Sequence, residues 1–279
     1  MCNGSLTAYT SHCVFLICLC GGVFFMVDIH THILFEVDDG AQSREESLMM
    51  CQIAGENDID AIITTSHFID VRTAEEYVST RQNRIDSLKE EAAQRFGIQL
   101  YPGAEVHITE SMLELKDFSP FALNHSRYLL AEFPFHLDHP QIILDQVDQL
   151  FDRGVVPILA HPERLSYLQK DYQLVNELND MGALFQVTLS SLAGNFGREA
   201  LWLSMAMVQA NMVDCLASDA HRPLGHRGID LLEQAVYIRP APSNSLMHRM
   251  LVETPTQILH NQAVSSRHVE PIFRHRTLF

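Results

Sequence analysis

The amino-acid sequence predicts an α/β protein whose parallel strands close into a barrel of seven (β/α) units. Short apolar stretches alternate with amphipathic helical stretches along most of the 279 residues, and this alternation is typical of parallel strands covered by helices. Five of the apolar stretches follow a Gly or Asn that ends a helix. Six of the seven apolar stretches are followed by a side chain able to bind a metal. A closed barrel brings such strand ends around one axis. An open, doubly wound sheet is the alternative fold.

The strands and helices can be followed along the chain. Between the strands, apolar residues recur at helical spacing, as at Ile85, Leu88 and Ala92 in one stretch and at Val147 and Leu150 in another. The predicted strands, with the polar residue that ends each, are residues 22–29 (His30), 61–66 (His67), 98–101 (Glu105), 128–131 (Glu132), 155–160 (His161), 183–188 (no ligand assigned) and 212–218 (Asp219).

The composition favours a single domain over residues 26–262, because (β/α) barrels commonly contain about 250 residues. The chain is 47% hydrophobic and 19% charged, as a folded globular protein is. Its formal net charge of -16 argues against nucleic acid as a partner, since binding a phosphate backbone requires clustered Lys and Arg. Its fifteen His provide neutral nitrogen ligands, so bound cations can supply the positive charge instead.

The two ends of the chain are interpreted separately. Residues 1–25 form an apolar N-terminal extension whose apolar run, from Val14 to Phe25, is shorter than the roughly twenty residues of a membrane span. No Lys or Arg precedes Met26, so the charged region of a secretion signal is missing. We expect translation to start at Met26 in a cytoplasmic protein, with a membrane-contacting arm as the alternative. Residues 263–279 are interpreted as a short, basic, disordered tail.

A candidate metal site begins with His30 and His32, whose side chains project to the same side of an extended chain. A His-x-His pair alone is a weak signal, but Asp38-Asp39 follows within a turn and further ligand types end the later strands. Other histidines, such as His107, are interpreted as surface or loop residues. The residues expected to converge on the site are His30, His32, Asp39, His67, Glu105, Glu132, His161, Asp219 and His221.

The order of these motifs resembles the polymerase and histidinol phosphatase (PHP) superfamily. Within it, the chain is similar to the bacterial manganese-dependent protein tyrosine phosphatases of capsule and exopolysaccharide synthesis, over about residues 26–260. The most specific segment is Val37-Asp-Asp-Gly followed by Ser43-Arg-Glu-Glu-Ser, and Asp39 and Glu132 stand where other branches place His. The other motifs are Asp28-x-His-Thr-His, Thr65-Ser-His, Gly103-Ala-Glu, Glu132-Phe, Ala160-His-Pro-Glu-Arg and Ser218-Asp-x-His.

The resemblance implies a distorted seven-stranded barrel of PHP type that holds three divalent metals at the C-terminal strand ends. Manganese is expected, and iron or zinc also suits such mixed imidazole and carboxylate ligands. By the same resemblance, the first metal is bound by His30, His32, Glu105 and Asp219, the second by Glu105, Glu132 and His161, and the third by Asp39, His67 and His221.

Adjacent cations of this kind deliver hydroxide to a phosphoester and neutralise the developing charge on its oxygens. Arg164 is the phosphate-binding arginine that the resemblance supports, and Arg222 is a second candidate. A cysteine phosphatase is excluded, because six residues separate Cys215 from Arg222 where that class has five. Cys51 and Cys215 are therefore interpreted as packing residues.

Three functions remain open. The first is hydrolysis of phosphotyrosine on a protein, expected to be a tyrosine kinase that regulates polysaccharide synthesis. The second is hydrolysis of a small phosphomonoester such as histidinol phosphate, and the third is a non-catalytic metal-binding regulatory module. A homo-oligomer is also possible. Residues 125–140 are either a surface loop or a loop that receives an aromatic phosphoester, and residues 186–191 have no assigned role.

Overall fold

The computed structural model describes residues 25–230 and 242–273, and the predicted extension and tail lie partly outside this range. All the strand pairings between named strands are parallel. The strands are β1 (Met26–Thr31), β2 (Ile59–Thr64), β3 (His67–Phe68), β4 (Gln99–Pro102), β5 (Glu105–His107), β6 (Tyr128–Glu132), β7 (Val156–Ala160), β8 (Leu184–Thr188) and β9 (Cys215–Ala217).

Helices separate most of these strands, as the periodicity predicted. Among residues 25–230 and 242–273, no helix is both long enough and apolar enough to cross a membrane. A π-helical turn at Arg249–Glu253 joins the last two helices. The helices are α1 (Arg44–Glu56), α2 (Ala74–Phe96), α3 (Ile142–Asp152), α4 (Ser166–Lys170), α5 (Tyr172–Asp180), α6 (Leu189–Leu192), α7 (Arg198–Gln209), α8 (Asn244–His248) and α9 (Thr254–Leu259).

Local sequence signals set the helix ends. The hydroxyl of Ser43 caps α1 by accepting a hydrogen bond from the amide of Glu46 at 3.2 Å, which satisfies one of the free N–H groups of the first turn. At the other end of the next helix, Gly97 has a φ of 76°, a left-handed conformation that glycine adopts without steric cost. The predicted helix stop after α2 is therefore confirmed.

The strands form two parallel sheets, one with the order β1-β2-β4 and one with the order β3-β5-β6-β7-β8-β9. Two of the predicted strands are each split between the two sheets. One is interrupted after Thr64 and continues as β3, and the other is interrupted after Pro102 and continues as β5. These pairings confirm a mixed α/β fold with parallel sheets; the closed seven-stranded barrel stays a prediction. Backbone hydrogen bonds from His32 N to Ala220 O (2.8 Å) and from Asp219 N to His30 O (2.9 Å) join the end of β1 to the chain after β9.

The buried apolar residues form two clusters. The smaller one lies along the strands and includes Val27, Ile63, Leu130 and Cys215. The larger one contains Cys51 and lies between the sheets and the helices. Both cysteines are fully buried, so the interpretation that they are packing residues agrees with the structure.

The C-terminal segment differs from the disordered tail that its composition predicted. Arg267 forms a two-pronged ion pair with the fully buried Asp214, with Nη2 2.9 Å from Oδ2. Asn176 exchanges two hydrogen bonds of 2.9 Å with the backbone of Ile272. Residues 263–273 therefore pack against the domain, because a buried carboxylate and a buried amide each require a partner.

Candidate metal centre

The structure brings all the predicted metal ligands together at the C-terminal ends of the strands. They form four overlapping groups, and within each group the potential ligand atoms lie within 4.8 Å of one another. The groups are His32, Asp39, His67 and His221; His30, His161 and Asp219; His30, His32 and Glu105; and His67, Glu105 and Glu132.

The inner half of the centre is defined as His30 and the four residues that share a ligand group with it, namely His32, Glu105, His161 and Asp219. Each of these five residues is at most 2% exposed. The Nε2 atoms of His30 and His32 lie 3.2 Å apart. The carboxylate of Glu105 is 3.3 Å from both of them, and Asp219 Oδ1 is 3.4 Å from both. Two imidazoles and two carboxylates thus point at one another, and all four side chains are buried.

Gln186 determines which nitrogen of His30 faces the centre. Its Oε1 accepts a hydrogen bond from the amide N–H of His161 at 3.3 Å, so the atom at this position must be the oxygen and not the amide nitrogen. The same oxygen is 2.8 Å from His30 Nδ1, which therefore carries the proton. The Nε2 of His30 presents its lone pair to the centre.

Asp38 does the same for His32. Its Oδ2 lies 2.7 Å from His32 Nδ1, while its two oxygens accept the amide N–H groups of His67 and Gly40. Burial opposes the charged form of Asp38, but the imidazole and these amides outweigh burial and hold its pKa below the usual value. Asp38 is therefore a charged acceptor that orients His32, as carboxylates behind metal-binding histidines do.

This arrangement fits divalent cations. Two nitrogen lone pairs 3.2 Å apart repel each other unless a proton or a cation lies between them, and two buried carboxylates require positive charge. Burial opposes an imidazolium at both histidines. The carboxylates of Glu105 and Asp219 nevertheless raise the pKa of His30. Those of Asp38, Asp219 and Glu105 raise the pKa of His32. Buried imidazole and carboxylate donors are the ligands that Mn, Fe and Zn share.

We call Asp39, His67, Glu132 and His221 the outer half. Glu132 and His221 are buried, whereas the side chains of Asp39 and His67 are 59% and 25% exposed. Asp39 Oδ1 is 3.2 Å from His221 Nε2 and 3.5 Å from His67 Nε2. His67 Nδ1 reaches Glu105 Oε2 at 2.9 Å, so the two halves share a boundary at Glu105.

His161 lies where the resemblance places a ligand shared with Glu105 and Glu132. Its Nε2 is 2.8 Å from Glu105 Oε1 and 3.7 Å from Glu132 Oε1. The ligand group that contains His161 is the one with His30 and Asp219, and His67 is the histidine grouped with Glu105 and Glu132. His161 has a φ of 34° and Asp219 a φ of 51°, which are strained conformations for residues other than glycine and typical of functional sites.

Gly40 allows the loop of Asp38 and Asp39 to lie against β1. A Cβ atom at this position would lie 2.1 Å from the carbonyl oxygen of His32, far inside van der Waals contact. The Val-Asp-Asp-Gly motif therefore requires glycine because the backbone approaches so closely.

The predicted arginines make different contacts. Arg164 Nη2 lies 2.8 Å from Asp219 Oδ2, and its side chain is 11% exposed. Arg222 donates from Nη1 to the carbonyl oxygens of Asp39 and Gly40 at 2.9 and 2.6 Å. Arg164 therefore faces the inner half, whereas Arg222 holds the loop backbone; a phosphate-binding role for either stays a prediction.

Several residues of the centre were not predicted as such. Arg227 contacts His221 Nε2 and lies 3.4 Å from Asp39 Oδ2, and His107 Nδ1 lies 3.1 Å from Glu132 Oε2. Nothing in the sequence predicted a role for Arg227, apart from its position six residues after His221. Gln186 lies within the predicted strand of residues 183–188, and the available signal was that no ligand had been assigned to this strand.

Two further buried carboxylates hold the strand ends without facing the centre. Asp28, the first residue of the Asp-x-His-Thr-His motif, accepts the hydroxyl of Ser218 at 2.5 Å and links β1 to β9. Glu163 accepts the hydroxyl of Ser191 at 2.5 Å and the amide of Thr188 at 3.2 Å. Burial raises the pKa of both carboxyl groups, although these hydrogen bonds oppose the shift.

Comparisons with known proteins identify the family of this chain. Residues 26–260 match the family described as capsular polysaccharide synthesis, CpsB/CapC. The chain is 37% identical over 199 residues to CapC of Staphylococcus aureus, covering 70% of this chain and 77% of that protein. It is 32% identical over 258 residues to the tyrosine-protein phosphatase YwqE of Bacillus subtilis, covering 91% of this chain and 99% of YwqE.

A solved structure gives the same result. It comes from a study of YwqE from Bacillus subtilis and CpsB from Streptococcus pneumoniae, which are described as unique metal-dependent tyrosine phosphatases. The match has a TM-score of 0.73 and 30% sequence identity, and it covers 89% of this chain and 100% of the other. This chain belongs to the CpsB/CapC family of capsular polysaccharide synthesis.

Proposed function

We propose that this chain is a metal-dependent protein tyrosine phosphatase. The observation that carries the proposal is the overlap of the four ligand groups, because Glu105, His30, His32 and His67 each belong to two of them. Overlapping groups place cation positions side by side, which is what metal-assisted hydrolysis of a phosphoester requires. Membership of a family whose named relatives are tyrosine phosphatases supports the same activity.

Three divalent cations are proposed, with Mn²⁺ first and Fe²⁺ or Zn²⁺ as alternatives, held by the nine predicted ligands. When bound, such cations acidify water and neutralise charge on phosphoryl oxygens. We also propose that the two sheets close into the distorted seven-stranded barrel, with the backbone bonds between the end of β1 and the chain after β9 as its seam.

The protein's own side chains have distinct tasks in this proposal. Arg164 and Arg227 border the centre, and a guanidinium donates two parallel hydrogen bonds to a phosphoryl group. Gln186 and Asp38 keep the imidazoles of His30 and His32 facing the cations. Neither cysteine of the described residues acts as a nucleophile in this proposal, because Cys51 and Cys215 are fully buried. Burial also raises the pKa of Cys215 well above its usual value and that of Cys51 to about 12.

The proposed substrate is phosphotyrosine on a protein of polysaccharide synthesis, with a tyrosine kinase as the expected partner. A histidinol-phosphatase-like esterase and a non-catalytic metal-binding module are the alternatives. The complete set of ligands favours catalysis over the regulatory module. A cytoplasmic location and a homo-oligomer stay predictions.

The test uses the full chain, stripped of metal by a chelator and then resupplied with Mn²⁺. Hydrolysis of a phosphotyrosine peptide and of histidinol phosphate is measured in each state. We expect activity on the peptide to vanish on stripping and to return with Mn²⁺. In His161→Ala it should fall at least about 100-fold, since removing a ligand costs more than the 10- to 100-fold of an outer-shell change.

Cys215→Ala is the matched control and should keep the activity of the wild-type protein. Preference for histidinol phosphate would assign the chain to the small-ester class. No turnover of either substrate with Mn²⁺ bound would favour the regulatory module, and loss of activity in Cys215→Ala alone would point to a thiol enzyme.

A further inference from the structure

We infer that Phe135 and Phe196 form a platform for the aromatic ring of the substrate, on the side of the centre where Arg164 lies. This inference rests on the proposed function and adds the residues that select an aryl phosphoester over an alkyl one. The platform is defined by these two rings, and the guanidinium of Arg164 lies near both of them.

Phe135 is a large apolar side chain beside a polar centre. Its ring is 42% exposed, and it stacks nearly parallel on the imidazole of His161, with centroids 5.8 Å apart and an interplanar angle of 10°. Its backbone is fixed, because its carbonyl oxygen accepts hydrogen bonds from the amide and the hydroxyl of Ser166 at 3.1 and 2.9 Å. An exposed aromatic ring on a fixed backbone is ready to stack on a ligand.

Phe196 lies in the short loop between α6 and α7. Gly194 and Gly197 on either side of it have φ values of 87° and 90°, so the loop turns in a way that favours glycine. The amide of Asn195 donates to Ser190 O at 2.9 Å and ties the loop to α6. The ring of Phe196 also meets the ring of His226 edge-on, with centroids 6.5 Å apart.

Arg164 joins the two rings to the centre. Its guanidinium carbon lies 4.7 Å from the ring centroid of Phe196 and 5.7 Å from that of Phe135, within the range of cation–π attraction. The same guanidinium bonds Asp219 of the inner half. In phosphotyrosine a single ester oxygen separates the ring from phosphorus, so a phosphoryl group at Arg164 and the inner half places its ring beside these phenylalanines.

A second location must be distinguished from the platform. A cavity of about 620 Å³ opens on the other side of the centre, lined by Asp39, His67 and the 67% exposed Ile69. Its remaining wall includes Phe68 and Tyr77, whose rings are buried in the core, and the carboxylates of Glu36 and Glu76. Carboxylates do not favour the electron-rich face of an aryl ring. We therefore assign the ring to Phe135 and Phe196 and use Ile69 as the control position.

The experiment measures binding, so it does not depend on turnover. Phenylphosphonate and methylphosphonate are titrated into the Mn²⁺-loaded full chain, and the ratio of their dissociation constants is determined by calorimetry. We expect the wild-type protein to prefer phenylphosphonate. Phe135→Ala and Phe196→Ala should each lower that preference about 3- to 10-fold, the range of one aromatic contact, with methylphosphonate affinity unchanged.

Phe135→Leu keeps apolar bulk beside Arg164 and should show the same loss of preference, which guards against misfolding of the alanine variants. Ile69→Ala should retain the wild-type ratio. An equal loss for both phosphonates would mean that the rings only support Arg164, and a loss confined to Ile69→Ala would move the ring to the cavity; either result overturns the platform. If the wild-type protein prefers phenylphosphonate but does not hydrolyse phosphotyrosine, the result would instead count against the proposed function alone.

Discussion

The inner and outer halves of the metal centre differ in how their side chains are held. In the inner half, ligands that are at most 2% exposed are oriented by buried partners, as His30 is by Gln186. In the outer half, Asp39 is 59% exposed and lies beside the partly exposed guanidinium of Arg227. Water can replace a lost partner only at the exposed side chains of the outer half, Asp39 and His67. Ligands of the same chemical type therefore contribute unequally to metal binding and stability. The reason is that a buried charge without its partner costs far more free energy than an exposed one.

The largest effect is expected in the inner half. Glu105→Gln removes one charge from a carboxylate that contacts His30, His32, His67 and His161. We expect bound Mn and kcat/KM on a phosphotyrosine peptide to fall at least about 100-fold. Asp214→Asn, which changes a fully buried carboxylate away from the centre, should lower stability while the folded protein keeps its metal. Retention of metal in Glu105→Gln would contradict the role of the inner half.

A smaller effect is expected behind the inner half. Gln186→Leu keeps the side-chain volume but removes the oxygen that fixes the proton of His30 on Nδ1. Metal affinity should fall about 10- to 100-fold, as for other residues that orient a ligand. Gln146→Leu is the matched buried control and should change affinity little. Equal affinities in the two variants would show that His30 needs no such partner.

A weaker effect is expected in the outer half. Asp39→Asn removes the charge but keeps an oxygen that can bind a cation, and water can solvate the site because the side chain is 59% exposed. The ligand is therefore weakened and not removed, so kcat/KM should fall only about tenfold. The inner half should keep its metal. Metal content and kcat/KM measured on the same preparation of the variant test this expectation. Asp86→Asn on α2 is the exposed control. A loss as large as that of Glu105→Gln would abolish the distinction between the halves.

The smallest effect is on the stability of the metal-stripped protein. Burial opposes protonation of His32 and His67, but nearby carboxylates raise both pKa values above 6.5. Their contribution to stability is complete below pH 6.5 and is lost as pH rises through the raised values. The pKa of His161 is lowered and that of His221 is lowered to about 3, with burial as the main cause, so neither offsets this loss.

The Tm of the stripped protein should therefore fall by a few degrees from pH 6.5 to about pH 9. Mn²⁺ should reverse the fall, because metal binding requires neutral imidazoles. His32→Asn in the inner half should remove more of the pH dependence than His67→Asn in the outer half, since the pKa of His32 is raised further. A Tm that rises over this pH range would refute the assignment.

The sequence by itself determined the ligand types and their positions at strand ends. Apolar runs with the length of buried strands end where polar residues begin. Parallel strands place those ends at the same edge of the sheet. His30, His67, His161 and Asp219 were predicted in this way. The alternation of strands and helices and the stop at Gly97 are equally local properties of the chain.

Only the tertiary structure decided the partners that orient those ligands. Gln186 and His30 are 156 residues apart, and glutamine is not a metal ligand, so no local pattern connects them. The division of the strands between two sheets, the packing of residues 263–273 on Asp214 and the approach of Arg227 to His221 likewise depend on loop paths. Strand periodicity is short-range and can be read from neighbouring residues, whereas hydrogen bonds across the fold exist only once the backbone has placed their atoms within reach.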